Sequence, residues 1–219
     1  MDYARIASLL APFTPAELTR QQLGQVSAYL ELLLHWNSTP AKPSVNLTSV
    51  RQPEEIITRH FGESFFLASQ VFPTQPTGTL SAIDVGSGAG FPGLPLKIYA
   101  PWLELTLIES QQKKATFLRE VIRALTLTDI NVFSGRLEEF ASERNSPSAN
   151  LVTLRAVERF AQALPVAAKL MAHNGRLALL IGSSQIELAQ RTLSEFKWQQ
   201  PPLAVPLSSA RVLLVCVRQ

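Results

Sequence analysis

The sequence holds a single cysteine, Cys216, so no disulfide can form within it. It also lacks an apolar run of the roughly 20 residues that a bilayer requires, because charge or proline interrupts every stretch first. The opening Met1-Asp2-Tyr3-Ala4-Arg5-Ile6 has no basic flank followed by an apolar core, so no signal peptide is expected and the cytoplasm is. Without export, Asn37-Ser38-Thr39 and Asn46-Leu47-Thr48 are ordinary sequence rather than glycosylation sites. No biased tract marks disorder. The three histidines, His35, His60 and His173, are far apart and form no metal-binding spacing, so no metal is expected. Strong charge is missing too: the net charge is +3 and the pI near 9.2, which permits a nucleic-acid partner without demanding one.

What is present suits one sizeable core. The chain has 219 residues, 46% of them hydrophobic, enough for one catalytic domain and too few for two. Residues 1–79 read as a helical N-terminal extension. Thr14-Pro15-Ala16-Glu17 has the pattern of a capping box, and Leu23, Val26, Leu30 and Leu33 then repeat at helical spacing to about Trp36. Asn37–Ser44 reads as a loop, and Pro53-Glu54-Glu55 opens a second helix to about Val71. Pro73–Gly78 is a linker.

From residue 80 to 219 strands alternate with helices. Strands are expected at Leu80–Val85, Leu103–Ile108, Ile130–Phe133, Leu151–Leu154, Leu177–Ile181, Leu203–Leu207 and Val212–Val217. Helices are expected to open at Pro92, at a Ser110 cap, near Arg159 (ending at His173-Asn174-Gly175) and over Gln185–Phe196. This order predicts an α/β, Rossmann-like, mostly parallel seven-stranded sheet whose last strand is antiparallel.

The chemistry sits at the first strand's exit, Asp84-Val85-Gly86-Ser87-Gly88-Ala89-Gly90. Glycines there let the backbone turn sharply and approach a ligand without a Cβ in the way. The dinucleotide fingerprint needs glycine at its sixth position, where this chain has Phe91, which counts against NAD. Three alternating glycines behind an acid instead resemble the first motif of S-adenosylmethionine-dependent methyltransferases. Glu109 ends the second strand, where a carboxylate can accept both ribose hydroxyls or remain a solvated edge residue. Leu137 and Glu138, after the third strand, are placed either to flank adenine or to begin a solvated helix.

The fourth strand ends Leu154-Arg155-Ala156 and lacks the Asp/Asn-Pro-Pro-aromatic sequence used in amino-group methylation. Cys216, within an apolar strand, reads as core rather than as a nucleophile for cytosine C5. An acceptor that needs no activation, such as guanine N7, fits what remains. Arg155 is the candidate catalytic residue, able to hold the guanine, the cofactor carboxylate or a phosphate; the bland alternative pairs it with Glu158.

Together these residues resemble the RsmG family, also called glucose-inhibited division protein B. The resemblance runs through Asn46–Arg51, Arg59-His60, Asp84–Pro95, Glu109-Ser110, Lys113-Lys114, Phe117-Leu118, Arg136–Phe140 and Arg155-Ala156. It implies transfer of a methyl group from S-adenosylmethionine to guanine N7 in 16S rRNA of the small ribosomal subunit. It also implies cofactor contacts at Gly86, Phe91, Leu137, Glu138 and Arg155, which join Asp84, Gly88 and Glu109. RNA contacts are expected from Arg51, Arg59, His60, Lys113, Lys114 and Arg119, mostly to phosphate, although Lys113 and Lys114 also suit a solvated helix face. The protein is expected to act as a monomer, away from any membrane. Three features depart from the family pattern: Glu109 replaces an aspartate, His60-Phe61-Gly62-Glu63-Ser64 stands for His-x-x-Asp-Ser, and Ser38–Val45 is long. The competing readings are a methyltransferase of the same fold acting on another RNA or a small molecule, and a nucleotide-binding module, which Phe91 disfavours.

Overall fold

A computed structural model describes residues 1–38, 46–142 and 148–218. Most of the long Ser38–Val45 segment therefore lies outside the described residues. The chain begins with α1 (Tyr3–Leu10), capped by Asp2, whose side chain accepts from the Arg5 amide. A short 3₁₀ turn, Ala11–Phe13, leads to α2 (Arg20–Ser38).

The expected start of α2 at Thr14 is corrected by five residues. Thr19 and Gln22 form the reciprocal cap: Thr19 Oγ1 accepts from the Gln22 amide, and Gln22 Oε1 accepts from the Thr19 amide at 2.9 Å. Thr14 instead ends the 3₁₀ turn that carries buried Phe13. Phe13 packs against Gly62, where a Cβ would lie 2.7 Å from its ring.

The expected second helix is present but not uniform. It runs as α3 (Pro53–Ile56), a wider π-helical stretch (Ile57–Gly62) and α4 (Glu63–Val71). Such insertions often accompany functional sites, and this one carries Arg59 and His60.

The remaining chain supplies β1 (Ser81–Val85), α5 (Gly93–Tyr99), β2 (Glu104–Ile108), α6 (Gln112–Ala124), β3 (Ile130–Phe133), α7 (Leu137–Ser142) and β4 (Ala149–Arg155). It continues with α8 (Phe160–Lys169), β5 (Met171–Gly182), α9 (Ile186–Thr192), β6 (Phe196–Trp198), β7 (Leu203–Ala204) and β8 (Arg211–Arg218). The sheet order is β3-β2-β1-β4-β5-β8-β6, with β7 also paired to β8. Strands β1 to β5 are mutually parallel, and β8 is antiparallel to its neighbours β5, β6 and β7.

The described sheet thus has eight strands rather than seven. The addition, β6, has only three residues, too short for a readable alternation, and begins at Phe196, where the last helix was expected to end. The His173-Asn174-Gly175 signal does not end a helix. It lies within β5, where the register against β4 shifts and Asn174 takes a φ of 63°. Ser110 likewise caps nothing: the residue before α6 is Gln111, whose amide is held by Glu109 Oε1 at 2.7 Å.

Alternate strand residues feed two apolar cores, one on each face of the sheet. Ala178 and Leu180 of β5 and Leu213 and Val215 of β8 face the helices α1, α2, α4, α5 and α6. Leu177, Leu179, Leu214 and Cys216 face α7, α8 and α9. The N-terminal helices therefore bury their apolar stripes in the same core as one sheet face. No helix among the described residues is long and apolar enough to cross a membrane.

Candidate active site

A cavity of about 610 Å³ opens at the carboxyl edge of the sheet, where parallel strands present their ends and the following loops. Its walls come from the glycine loop, the exits of β2, β3 and β4, the segment Leu47–Val50 and the π-helical stretch.

The glycine loop turns through left-handed conformations at Gly86 (φ 67°) and Gly88 (φ 57°). A Cβ on Gly86 would meet Val157 at 3.2 Å, while one on Gly88 would find only its own loop at 3.8 Å. The backbone of Gly88 is thus open to a ligand. Below it, Asp84 does not line the cavity. Its Oδ1 accepts from Thr153 Oγ1 at 2.8 Å and its Oδ2 from the Gly93 amide at 3.2 Å, so it braces the loop from beneath. Burial pushes the Asp84 carboxyl up to about 6, against the hydrogen bonds from Thr153, Ser87 and Gly93.

Glu109, at the exit of β2, holds the Gly88 amide through Oε2 at 2.8 Å and the Gln111 amide through Oε1. One carboxylate so ties the glycine loop to the start of α6 and still faces the cavity. Leu137 and Glu138, in the first turn of α7, form the wall beyond it.

Tyr29 of α2 was not foreseen. Its hydroxyl donates to the Ala89 carbonyl inside the glycine loop, and its ring stacks on Phe91 at 5.3 Å with an interplanar angle of 1°. Gly90 makes this possible, since a Cβ there would collide with that hydroxyl. Burial holds the Tyr29 phenol well above its ordinary value, so it remains a donor.

The opposite wall is an arginine corner. Arg155, at the end of β4, donates from Nη2 to the Arg59 carbonyl at 2.8 Å and contacts His60 Nδ1 at 2.9 Å; its guanidinium lies 6.0 Å from the centre of the Phe91 ring. A guanidinium can only donate, so His60 accepts at Nδ1 and its Nε2–H points to Thr48 Oγ1 at 2.7 Å. Burial, reinforced by Arg155, Arg59 and Arg211, brings His60 down to about 3. His60 is consequently a neutral, doubly engaged member of the cavity wall.

Arg155 does not pair with Glu158. Its carboxylate is Glu63 of α4, 3.1 Å from Nη2, and the same Glu63 oxygen lies 3.0 Å from Arg211 Nε at the start of β8. Burial lowers Arg155 to about 10, with Glu63 acting in the opposite sense. Ala156 and Arg159, just beyond Arg155 and on the cavity lining, both take positive φ (51° and 53°), strained for non-glycine residues.

Among the remaining basic candidates, Arg59 and Lys114 line the cavity, while Arg51, Lys113 and Arg119 do not. Arg59 pairs with Glu55 at 2.8 Å, Arg51 reaches Asn46, and Arg119 donates to the Val132 carbonyl. Among the described residues no cluster of three or more His, Cys, Asp or Glu side chains is placed to hold a metal.

A family model described as GidB, rRNA small subunit methyltransferase G, matches residues 22–213. The chain is 39% identical over 172 residues to ribosomal RNA small subunit methyltransferase G of Desulfitobacterium hafniense, covering 78% of this chain and 67% of that protein. It is 36% identical over 210 residues to the protein of the same name from Chloroflexus aggregans, covering 92% and 84%. Among solved structures, TrmN from Thermus thermophilus superposes with a TM-score of 0.57 at 16% identity, over 74% of this chain and 53% of that one. A predicted O-methyltransferase from Agrobacterium tumefaciens gives 0.56 at 18% identity, over 69% and 78%. The last two are likenesses of fold.

Proposed function

The chain belongs to the rRNA small subunit methyltransferase G family, and on that premise we propose that it methylates guanine N7 in 16S rRNA with S-adenosylmethionine bound in this cavity. The observation that carries the reading is the pairing of an open, left-handed glycine backbone with the Glu109 carboxylate on one wall and Arg155 on the other.

The residues present fit that cofactor. A side chain at Gly86 would crowd Val157, and the bare Gly88 backbone leaves room for the methionine and ribose portions. Each Glu109 oxygen accepts one backbone amide and keeps lone-pair capacity for a ribose hydroxyl. Leu137 supplies an apolar surface for the adenine, with Glu138 at its edge. Arg155 supplies a cation for the cofactor's carboxylate. Asp84 takes part indirectly, by fixing the loop.

When bound, the cofactor supplies a methyl group on a positively charged sulfur, already a strong electrophile. The chain's own groups then need only orient the acceptor and exclude water. His60 has both ring nitrogens engaged and stays neutral, so it is not poised to remove a proton from an acceptor. An acceptor that carries its own lone pair suits such a site, and guanine N7 is one. Leu47–Val50 and Arg59 face the cavity where the RNA would enter. The exposed Lys113, Arg119 and Arg51 are assigned to phosphates farther along the strand. A cytoplasmic location, with the ribosome, follows from this reading.

The test is transfer of a labelled methyl group to small-subunit rRNA from cells lacking the modification, followed by N7-specific chain scission. Scission at one guanine is expected. Equal labelling of rRNA that already carries the modification would overturn the proposal, and robust transfer to unrelated RNA would favour a different substrate.

A further inference from the structure

Behind the cavity wall one carboxylate faces two guanidinium groups. Glu63 Oε2 lies 3.1 Å from Arg155 Nη2 and 3.0 Å from Arg211 Nε, yet Glu63 Oε2 and both arginine Nε atoms are buried without an aligned hydrogen bond. The contacts are close ion pairs with poor hydrogen-bond alignment. A carboxylate alone with one arginine closes on it in a two-pronged, aligned pair, which is the stronger arrangement. Here Arg211 shares the same oxygen, and it is itself anchored through Nη2 on the Leu180 carbonyl at 3.2 Å. Arg155 is steadied instead by the Arg59 carbonyl and by neutral His60, partners that hold it without cancelling its charge.

We propose that Arg211 is a positioning residue: by sharing Glu63 it stops that carboxylate from closing on Arg155 and so keeps Arg155 free to bind the carboxylate of the cofactor. The inference rests on the cofactor reading above. It also gives the excess of cations a purpose, since a one-to-one ion pair carries no net charge and attracts an anion more weakly.

Calorimetric titration of the full chain with S-adenosylhomocysteine, together with thermal melting, tests it. Arg155→Gln should bind about tenfold more weakly or worse; parent-like binding would remove Arg155 from the cofactor site and the premise with it. Given that loss, Arg211→Met should melt no lower than the parent, since it leaves a one-to-one ion pair, yet bind about tenfold more weakly. The double variant Glu63→Gln/Arg211→Met has no carboxylate to capture Arg155 and should recover to within about threefold of the parent. A merely structural role predicts the reverse, a double variant worse than either single one. Should the methionine variants fail to fold, Arg211→Lys should bind within about threefold of the parent and Arg211→Gln should not. Parent-like binding by Arg211→Met or by Arg211→Gln overturns the proposal. So does a double variant as weak as Arg211→Met, or an effect confined to the Michaelis constant for rRNA.

Discussion

The glycine loop and the arginine corner form opposite walls of one cavity and treat buried polar groups differently. On the loop, acceptors and donors are matched one to one: Asp84 holds Thr153 and Gly93, Glu109 holds Gly88 and Gln111, and Ala89 receives Tyr29. At the corner one Glu63 oxygen serves two arginines, and three buried polar atoms lack an aligned partner. These loop groups are paired before any ligand arrives, so the loop offers shape together with the spare lone pairs of Glu109. The corner sets two guanidinium groups against one carboxylate, so its contribution is attraction.

The sharpest way to break the loop is Gly86→Val. A β-branched side chain at a φ of 67°, with Val157 at 3.2 Å, disfavours the turn outright. Binding of S-adenosylhomocysteine should fall by about a hundredfold while the circular dichroism stays that of the parent. Normal binding would show that the site lies elsewhere. Glu109→Ala should come next. It strands two backbone amides and should weaken binding by about thirtyfold, with roughly 2 kcal/mol lost in urea unfolding.

Acid should pull the two walls in opposite directions. Asp84 titrates near 6 in the folded protein against 3.8 ordinarily, so the folded state binds its proton more readily. Relative to Asp84→Asn, the parent should therefore gain stability as pH falls from about 6 to about 4, by up to about 3 kcal/mol. His60 titrates near 3 against 6.5, so here the unfolded state binds the proton more readily. Relative to His60→Gln, the parent should lose stability as pH falls through the same range and on toward 3. Urea midpoints at pH 7, 5.5 and 4 measure both, and slopes of the same sign would dissolve the contrast. Tyr29→Phe should have the smallest effect. It removes only the hydroxyl from Ala89 and should weaken cofactor binding by about threefold, with about 1 kcal/mol of stability.

The loop wall was legible because its signals are local. Glycines at every second position, the acid before them and Glu109 at the next strand end need only short-range spacing to be read. The alternation of strands and helices was legible for the same reason. The corner was not, because the π-helical stretch with Glu63 directly after it, Arg155 and Arg211 come from three separate stretches and meet only once the sheet is built. Arg155 was visible at its strand end, but not its partner: Glu158 is nearby in sequence, whereas Glu63 is reached across the fold. Tyr29 hid inside an apolar helical stripe, where its hydroxyl carried no signal. His60 was named as an RNA contact, but its place between Arg155 and Thr48 was hidden because sequence shows the residue type and not its burial or partners. Errors at the elements had similar causes, since Thr14 and Thr19 both begin plausible caps and an Asn-Gly pair serves a strand irregularity as readily as a helix end.

The core shared by the N-terminal helices and one sheet face bears on how the molecule could be divided. Residues 73–79 between them are almost wholly exposed, while Phe72 before them and Ala82 after them are buried. A protease cutting in that connector would sever the chain without touching an apolar contact. The two pieces would remain clasped, with Tyr29 on one still gripping the glycine loop of the other. Supplied as separate fragments, they would form a split protein whose cofactor binding reports on whether the halves have found each other.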